Sequence, residues 1–296
     1  MQTEQEAQGG YLGQFIPLQY HHNMLMDSNR MQPFKAAIDR VVKPGAKVLE
    51  LGGGTGVLSW FAAAKAEKVW CVEFNPDLVR ESRKLLAKNP HGEKVEVVHA
   101  DAFAYLPPEP VDVMICEMIH VAMLREKQVA MVESFKDRYQ RRFGGPLPIL
   151  VPTAVLMAVQ PLQQDYHFEG YYAPIVQVQE LVVSQAGTEE MARPELYSIL
   201  DFTQKTSEDI VWEGDFVIER DGTVNALRFI TKNVLAILAE SSSTIDWLNR
   251  YMAFPLADPV KVRQGDTLHV SFRYRAGGLI TDLQDALRAS VVGAAL

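Results

Sequence analysis

A glycine-rich turn at residues 50–56, with the sequence ELGGGTG, has the composition of a ligand-binding loop. Glycine lacks a Cβ atom, so the backbone can turn tightly there and come close to a bound molecule. The N–H groups at the start of a following helix favour electron-rich atoms of that molecule. Enzymes that use NAD, FAD or S-adenosylmethionine all carry such a turn, so the turn alone leaves the three cofactors open.

Three residues around this turn favour S-adenosylmethionine over the dinucleotides. Val57 stands where the fingerprint Gly-x-Gly-x-x-Gly requires its last glycine or an alanine. Glu73 follows roughly 20 residues later, where a carboxylate can accept both ribose hydroxyls of an adenosine. Asp101 comes after the next apolar run and is suitably placed for the adenine end. We therefore predict S-adenosylmethionine as cofactor, with S-adenosylhomocysteine as product, and disfavour a nicotinamide oxidoreductase.

Short apolar runs alternate with helical patterns around the turn, and these elements must position its residues. The pattern predicts helices at residues 56–66 and 76–88 and strands at Lys47–Leu51, Lys68–Glu73, Val95–His99 and 111–117. Strands that alternate with helices are typical of parallel βαβ units. The first half of the chain is therefore predicted to be a doubly wound, Rossmann-like α/β sheet.

The pattern changes near residues 144–148, GGPLP, which are dense in turn-forming residues. Beyond them, alternating apolar runs predict further strands at residues 154–159, 210–219, 226–230, 234–239 and 267–274. Short runs of this kind are typical of antiparallel sheets. The second half is therefore predicted to be an antiparallel β-barrel or sandwich.

The composition of the 296 residues disfavours several classes of protein. Apolar residues make up 48% and charged residues 22%, and no apolar run approaches the roughly 18 residues of a membrane span. The first residues lack the pattern of a secretory signal. Cys71 and Cys116 lie singly in apolar runs, which predicts buried thiols in a cytoplasmic protein, with neither a disulfide framework nor a metal site.

The formal net charge of −8 makes nucleic acid a poor partner, and this charge is unevenly distributed. Residues 1–150 hold 18 basic and 18 acidic side chains, whereas residues 151–296 hold 11 basic and 19 acidic ones. An acidic second half would attract a cationic substrate or a basic partner. A surface that only maintains solubility would explain the same imbalance.

Residues 48–59, VLELGGGTGVLS, resemble the cofactor motif of the protein arginine N-methyltransferases. Before the sheet, the pattern His-x-x-Met-Leu-x-Asp-x-x-Arg of this family is matched by His21, Met24, Leu25, Asp27 and Arg30. The resemblance implies that Arg30 holds the methionine carboxylate of the cofactor, a pairing that suits the planar guanidinium. It also implies that His21 and Met24 line a lid over the cofactor.

Glu117 and Glu126, with Leu124 two residues before the second glutamate, match the spacing of the family's loop of two glutamates. By resemblance these carboxylates are the catalytic pair that holds the guanidinium of an arginine. A guanidinium is always charged in proteins and is repelled by the cofactor's sulfonium, so two carboxylates offset the repulsion and aim one nitrogen at the methyl group. His120 stands where glycine is usual, which would narrow the substrate pocket.

The resemblance is looser beyond Pro152, which matches the proline that joins the family's two domains. Residues 222–227 resemble an inner strand of its β-barrel. Trp247 matches the tryptophan of a Thr-His-Trp loop and could stack on a cationic substrate. Asp246 replaces the histidine of that loop, which in the family pairs with the carboxylate matched by Asp27. Two carboxylates would repel or share a proton, so the alignment, the proton route or the substrate differs there.

Two aromatic segments complete the resemblance. The family's lid pattern Tyr-Phe-x-x-Tyr becomes YLGQF at residues 11–15, so Phe15 lacks the hydroxyl that would bind the second glutamate. Residues 166–172, YHFEGYY, lie where the family carries a dimerisation arm. We therefore predict a homodimer, with a packed loop as the alternative.

These observations predict three parts: cofactor-lid helices at residues 1–32, a Rossmann-like cofactor-binding domain at 33–150, and a β-barrel substrate and dimerisation domain at 151–296. The candidate substrate residues are Trp247, Asp246 and His120. The predicted cofactor residues are His21, Met24, Arg30, Glu50, Gly52, Gly54, Thr55, Gly56, Leu58, Glu73, Asp101, Ala102 and Glu117.

We expect an N-methyltransferase that acts on arginine side chains of proteins or on a related guanidino or amino group. His120, Asp246 and Phe15 leave a small-metabolite acceptor open as a second hypothesis. A non-catalytic cofactor-binding protein that acts through its dimerisation arm is a third. Neither nucleic acid nor a membrane is an expected partner.

Overall fold

Two helices precede the parallel sheet in the computed structural model, which describes residues 18–181 and 184–293. They are α1 (Leu18–Met26) and α2 (Ser28–Val41). Asp27 lies between them and caps α2, because its carboxylate accepts a hydrogen bond from the backbone N–H of Arg30 at 3.3 Å. The apolar face of α2, which includes Phe34, is fully buried and anchors the helix in the core.

Five strands pair in parallel to form the first sheet: β1 (Lys47–Leu51), β2 (Lys68–Glu73), β3 (Val95–His99), β4 (Val113–Cys116) and β5 (Ile149–Val151). Three helices connect them: α3 (Val57–Ala63), α4 (Pro76–Leu86) and α5 (Gln128–Phe143). The strand order is β3-β2-β1-β4-β5, so the chain reverses its direction of winding between β1 and β4. Sheets of this kind bind ligands in the crevice at that reversal.

Antiparallel strands make up the rest of the described chain. They are β6 (Ala154–Gln164), β7 (His167–Phe168), β8 (Tyr171–Tyr172), β9 (Gln177–Gln179), β10 (Thr188–Glu190), β11 (Glu195–Asp201), β12 (Asp209–Val217), β13 (Gly222–Leu238), β14 (Ser243–Leu248), β15 (Tyr251–Val262), β16 (Thr267–Arg275) and β17 (Arg288–Val291), with α6 (Ile280–Ala286) before β17. Strands β12, β16 and β17 form a three-stranded sheet, and β7 pairs with β8. The other seven form one sheet whose central path is β10-β6-β13-β15-β9.

The long strand β13 covers two predicted strands, at residues 226–230 and 234–239. Two polar residues, Thr231 and Asn233, separate the apolar runs in the sequence, yet both are fully buried inside one strand. Thr231 Oγ1 accepts a hydrogen bond from the N–H of Ala122 at 2.8 Å, and Asn233 Nδ2 donates to the carbonyl of Trp247 at 3.1 Å. These bonds offset part of the cost of burial, although Oδ1 of Asn233 has no partner among the described residues.

The predicted fold class is confirmed, since a parallel Rossmann-like sheet is followed by antiparallel sheets. The first three strands have their predicted bounds, and the fourth is shorter than the predicted 111–117. Buried apolar side chains form a continuous core from Val48 in β1 to Phe229 in β13. The division of the chain at residues 32 and 150 stays a prediction. Within the described ranges, no helix is long and apolar enough to cross a membrane.

Candidate active site

A cavity of about 810 Å³ opens at the carboxyl ends of the parallel strands, where the strand order reverses. Residues of α1, of the start of α2 and of the loops after β1, β2, β3 and β4 line it. Residues around β9 and between β14 and β15 also line it. Both halves of the chain therefore contribute to one concave site of the size that holds a small molecule.

The glycine turn after β1 lies in the wall of this cavity. Gly52 and Gly54 have left-handed backbones, with φ of +78° and +54°. A Cβ atom at Gly54 would lie 2.8 Å from Cε1 of His21, and one at Gly53 would lie 2.2 Å from Sγ of Cys71. The turn therefore requires glycine both for its conformation and for the close approach of neighbouring side chains.

Glu50 connects the end of β1 to the start of α3. Its carboxylate is 2% exposed and accepts hydrogen bonds from the hydroxyl of Ser59 and, at 2.8 Å, from the N–H of the same residue. Burial raises the pKa of Glu50 to about 7, although the bonds from Ser59 lower it. Glu50 thus holds the two ends of the glycine turn together while its side chain contributes to the cavity wall.

Two more carboxylates are oriented at neighbouring strand ends. Oε2 of Glu73 accepts a hydrogen bond from the N–H of Gly54, and Oε1 accepts one from the N–H of Asn75, both at 2.8 Å. Asp101 is exposed and accepts a bond from the N–H of Phe103 at 2.8 Å. Both carboxylates line the cavity and keep lone pairs with which they can accept bonds from a ligand.

Gly56 is the one predicted cofactor residue that does not line the cavity. It is the N-cap residue of α3 and has a left-handed φ of +81°. Its contribution is therefore to the conformation of the turn and not to the cavity lining. The remaining predicted cofactor residues all line the cavity: His21, Met24, Arg30, Thr55, Leu58, Ala102 and Glu117.

Arg30 is 8% exposed and forms an ion pair through its Nη2 with Oε2 of Glu117. Its guanidinium carbon lies 5.6 Å from the ring centre of Phe34 and 5.9 Å from that of Trp247. Burial lowers the pKa of Arg30, but the carboxylates of Glu117, Glu50 and Asp27 together outweigh this effect and the net shift is upward. Arg30 is therefore a permanent positive charge in the cavity wall, suited to bind a further anionic group.

Two buried polar atoms in this wall, Nε2 of His21 and Nε of Arg30, have no hydrogen-bond partner among the described residues. Burial, followed by the charge of Arg30, lowers the pKa of His21. Buried polar groups normally have partners, so these two atoms indicate a polar ligand at this end of the cavity. The amino-acid end of S-adenosylmethionine fits them, as the ribose hydroxyls fit the carboxylate of Glu73.

Glu117 and Glu126 both line the cavity, although they are far apart in the loop that follows β4. Burial, followed by the charge of Glu117, raises the pKa of Glu126 to about 8. At neutral pH Glu126 is therefore mostly protonated, whereas Glu117 is paired with Arg30. A cation bound between the two glutamates would favour their ionised forms, so the arrangement suits a positively charged ligand.

The loop between the two glutamates has a strained backbone. Ala122, Met123 and Arg125 have φ angles of 56°, 56° and 63°, which cost about 1–3 kcal/mol each outside glycine. The N–H of Ala122 donates to Thr231 Oγ1 at 2.8 Å, and the N–H of Arg125 donates to the carbonyl of Gly278 at 2.7 Å. Contacts with the antiparallel half therefore hold the loop in the shape that returns its second glutamate to the cavity.

Gln128, at the start of α5, holds the same loop from its other side. Its fully buried side chain accepts a hydrogen bond from the N–H of Met118 at 2.9 Å and donates to the carbonyl of Cys116 at 2.7 Å. Sequence reasoning missed Gln128, Thr231 and Gly278, because none of them is a reactive group in a recognisable motif. The available signal was a glutamine at the first turn of a helix, two residues after the second glutamate.

The structure brings two of the three candidate substrate residues to the cavity, Trp247 and His120. Trp247 is 7% exposed and packs against Phe34 with ring centres 5.5 Å apart. Burial lowers the pKa of His120. Asp246 does not line the cavity, and its Oδ2 forms an ion pair with Nζ of Lys232 at 2.7 Å. A lysine therefore offsets the charge of Asp246.

The sequence also predicted a lid, no metal site and two buried thiols. The predicted lid at residues 11–15 lies outside the described residues. In the described part of the chain, no group of three or more histidine, cysteine or acidic side chains could hold a metal ion. Cys71 and Cys116 are buried free thiols, and burial raises the pKa of both, so neither is a reactive thiolate.

Comparison with known proteins finds methyltransferase sequences that are similar to this chain. Residues 48–139 match the family model of a methyltransferase domain. The chain is 30% identical over 158 residues to protein arginine N-methyltransferase PRMT10 of Oryza sativa subsp. japonica. The aligned region covers 52% of this chain and 40% of the rice protein. It is also 27% identical over 263 residues to an uncharacterized protein of Methanocaldococcus jannaschii, covering 88% of this chain and 93% of the other.

Solved structures show the same fold. Protein arginine methyltransferase 10 of Arabidopsis thaliana superposes with a TM-score of 0.72 at 20% identity, covering 88% of each chain. A Trypanosoma brucei PRMT1 enzyme-prozyme complex with S-adenosylhomocysteine gives a TM-score of 0.72 at 16% identity, over 92% of this chain and 96% of the other. Together with the methyltransferase-domain match, these similarities identify the chain as an S-adenosylmethionine-dependent methyltransferase that resembles the protein arginine methyltransferases.

Proposed function

We propose that this enzyme methylates a guanidino or amino nitrogen of a cationic acceptor, with an arginine side chain of a protein as the first candidate. The observation that carries the proposal is that Glu117 and Glu126 line the same cavity as the glycine turn. A partly buried pair of carboxylates, one with its pKa raised to about 8, is suited to a cation.

The side chains divide the work along the cavity. The cofactor supplies a methyl group on a sulfonium sulfur. Glu73 would hold its ribose, and Arg30 its methionine carboxylate. Glu117 and Glu126 would orient the acceptor nitrogen and offset the repulsion between two cations. The acceptor loses its proton as the nitrogen becomes acidic during transfer, and a nearby carboxylate can accept it.

Arg30 takes part in both halves of this arrangement. It is ion-paired with Glu117 and is also the residue predicted to hold the methionine carboxylate. A guanidinium has five N–H donors, so it can bind one carboxylate of the protein and one of the ligand. This shared contact would couple the position of Glu117 to the bound cofactor.

The proposal is tested with Glu117→Gln and Glu126→Gln, which keep the shape of each side chain and remove its charge. We expect each variant to transfer labelled methyl to an arginine-rich peptide at least ~100-fold more slowly, because about 2.7 kcal/mol or more of electrostatic stabilisation is lost. Affinity for S-adenosylhomocysteine should change little in Glu126→Gln. Glu213→Gln, at an exposed position on β12, is the matched control.

Undiminished transfer in both glutamate variants would contradict the proposed pair. A small guanidino or amino metabolite is the second candidate acceptor, because the side chain of His120 occupies the cavity wall where the resemblance predicts glycine. In that case arginine-rich peptides would give no turnover, whereas a metabolite extract would.

We further propose a homodimer formed through the β7–β8 hairpin and the residues after it. The exposed apolar side chains there are Phe168, Tyr171, Tyr172 and Ile175, which are 47%, 74%, 55% and 59% exposed. Neighbouring apolar groups of this size are unfavourable in water and indicate a contact surface. The similar Trypanosoma brucei enzyme-prozyme structure is a heterotetramer, which supports assembly as a property of such chains.

A further inference from the structure

One wall of the cavity comes from the antiparallel half, and we call it the acceptor wall: Val178, Glu180, Leu181, Asn249, Arg250 and Met252. None of these residues is among the predicted cofactor contacts, which all lie in the first half of the chain. Oε1 of Glu180 lies 3.1 Å from Nη1 of Arg250, so the two segments of the wall are joined by an ion pair. The wall therefore faces the space left for the acceptor.

Strand β9, which begins the acceptor wall, has little backbone support of its own. It is three residues long and lies at the edge of the seven-stranded sheet. Its pairing with β15 covers Gln177 to Gln179 against Tyr251 to Ala253 only. Short edge strands of this kind are weakly held by backbone hydrogen bonds alone, so side chains must contribute to its position.

A buried arginine provides this contact. Arg228, in β13, is 4% exposed, and its Nε donates a hydrogen bond to Oε1 of Gln179 at 2.8 Å. Its Nη1 donates to Oε1 of Gln160 at 3.0 Å and to Oε1 of Glu190 at 2.7 Å. Arg228 thus joins β13, β9, β6 and β10 through charge-assisted bonds, which are about twice as strong as neutral ones.

The register of the sheet explains how Arg228 reaches β9. Arg228 pairs with Ala253 of β15, and Ala253 pairs with Gln177 of β9. The guanidinium carbon of Arg228 lies 5.3 Å from the ring centre of Tyr251, the β15 residue that pairs with Gln179. The side chain of Arg228 therefore extends across β15 to reach Gln179.

The opposite face of the same strands lines the cavity. Successive side chains of a strand point to opposite faces, so Val178 and Glu180 face away from Gln179. Val178 pairs with Met252, and both line the cavity. Arg228 is therefore directly behind the acceptor wall, separated from the acceptor space by one strand.

We propose that Arg228 is a positioning residue for the acceptor: through Gln179 it fixes β9 and so sets the place of Val178 and Glu180 at the cavity. This inference rests on the proposed methyl transfer to a cationic acceptor. Arg228 would affect the affinity for the acceptor, whereas Glu117 and Glu126 would affect the rate of methyl transfer.

The experiment compares Arg228→Met, Gln179→Leu and Glu190→Gln in the full-length enzyme with an arginine-rich peptide. The first two variants remove the Arg228–Gln179 hydrogen bond, and Gln179→Leu also removes the bonds of Gln179 to Gln164 and Thr188. We expect the KM for the peptide to rise about tenfold in both, with kcat nearly unchanged. Glu190→Gln is the control, because it removes the charge of a different partner of the same guanidinium. Its KM should stay within about twofold of the wild-type value.

Two further measurements separate positioning from loss of structure. Affinity for S-adenosylhomocysteine should be the same in all three variants, because the cofactor contacts lie on the other side of the cavity. Hydrogen exchange at the amides of residues 177–181 should be faster in Arg228→Met and Gln179→Leu only. Arg228→Lys, which keeps the charge but not the fork of donors, should give an intermediate KM.

An unchanged peptide KM in Arg228→Met and Gln179→Leu overturns the positioning role, as does a parallel loss of S-adenosylhomocysteine affinity. If the wild-type enzyme methylates no guanidino or amino acceptor, the proposed function itself fails and this inference fails with it. The two failures are distinct, because the first leaves peptide methylation by the wild-type enzyme intact.

Discussion

Individual side chains in this site are tuned by burial and by one another's charge. Glu117 forms an ion pair with Arg30, whereas the pKa of Glu126 is raised to about 8 by burial and then by the charge of Glu117. The two glutamates thus differ in their surroundings, because only Glu117 has an ion-pair partner among the described residues. An arriving cation would complete the pair, which makes acceptor binding and ionisation of Glu126 one coupled event.

The raised pKa of Glu126 predicts a specific dependence of stability on pH. The ordinary value is 4.5 and the folded value is about 8, so the folded state keeps a proton that the unfolded state releases. The contribution of this proton is fully present below pH 4.5 and is lost as the pH rises to about 8. Each unit of pKa difference corresponds to about 1.4 kcal/mol.

Glu126→Gln should therefore become more stable relative to the wild-type enzyme as the pH rises from 5 to 8.5. Urea unfolding at a series of pH values measures this difference. Burial raises the pKa of Glu50 to about 7, so its contribution to the free energy of unfolding is lost over an overlapping pH range. This loss occurs in both proteins and cancels in the difference between them. Two stability curves that stay parallel across this range would show that Glu126 is not held protonated.

At the level of the elements, the loop from Glu117 to Glu126 depends on contacts outside itself. Its left-handed residues are unfavourable in isolation. Thr231 from β13 and the Gly277–Gly278 turn after β16 supply the compensating hydrogen bonds. The antiparallel half thus shapes the loop of the two glutamates as well as the acceptor wall.

Thr231→Val tests this dependence, since valine has nearly the same shape and lacks the hydroxyl that accepts the N–H of Ala122. We expect kcat to fall about tenfold and the free energy of unfolding to fall by about 1–3 kcal/mol, because a buried N–H loses its partner. Affinity for S-adenosylhomocysteine should be unchanged. Thr244→Val, at an exposed position in β14, is the control, and an equal kcat in both variants would rule out the role of Thr231.

At the level of the whole molecule, the β7–β8 hairpin leaves large aromatic side chains on the surface, away from the cavity. Tyr171 is 74% exposed, so Tyr171→Asp should weaken a dimer without disturbing the fold of one chain. Light scattering should give the mass of two 33.2 kDa chains for the wild-type protein and of one for the variant. Val211→Asp, at a 77% exposed position on β12, should remain dimeric. A wild-type protein that is monomeric at tens of micromolar would contradict this surface.

The fold and the cofactor end of the site follow from local sequence signals. Strands β1, β2 and β3 have their predicted bounds, because buried parallel strands form uninterrupted apolar runs. The turn at residues 50–56 and the carboxylate of Glu73 follow consecutive strands, and consecutive parallel strands necessarily end at the same edge of a sheet. The cofactor could therefore be inferred from spacing along the chain, and the structural and sequence relatives agree with it.

The acceptor end was decided by tertiary structure. Asp246 stands at the place of the family's histidine and was a candidate substrate residue, but Lys232, one strand away, pairs with it outside the cavity lining. Thr231 and Arg228 carry no motif, and they matter because β13 brings them next to the loop of the two glutamates and behind the acceptor wall. Contacts between residues more than a hundred positions apart, such as Ala122 with Thr231, leave no periodic signal in a sequence. The chain by itself thus determined the methyl donor, whereas the packing of its two halves determined the shape and charge of the space for the acceptor.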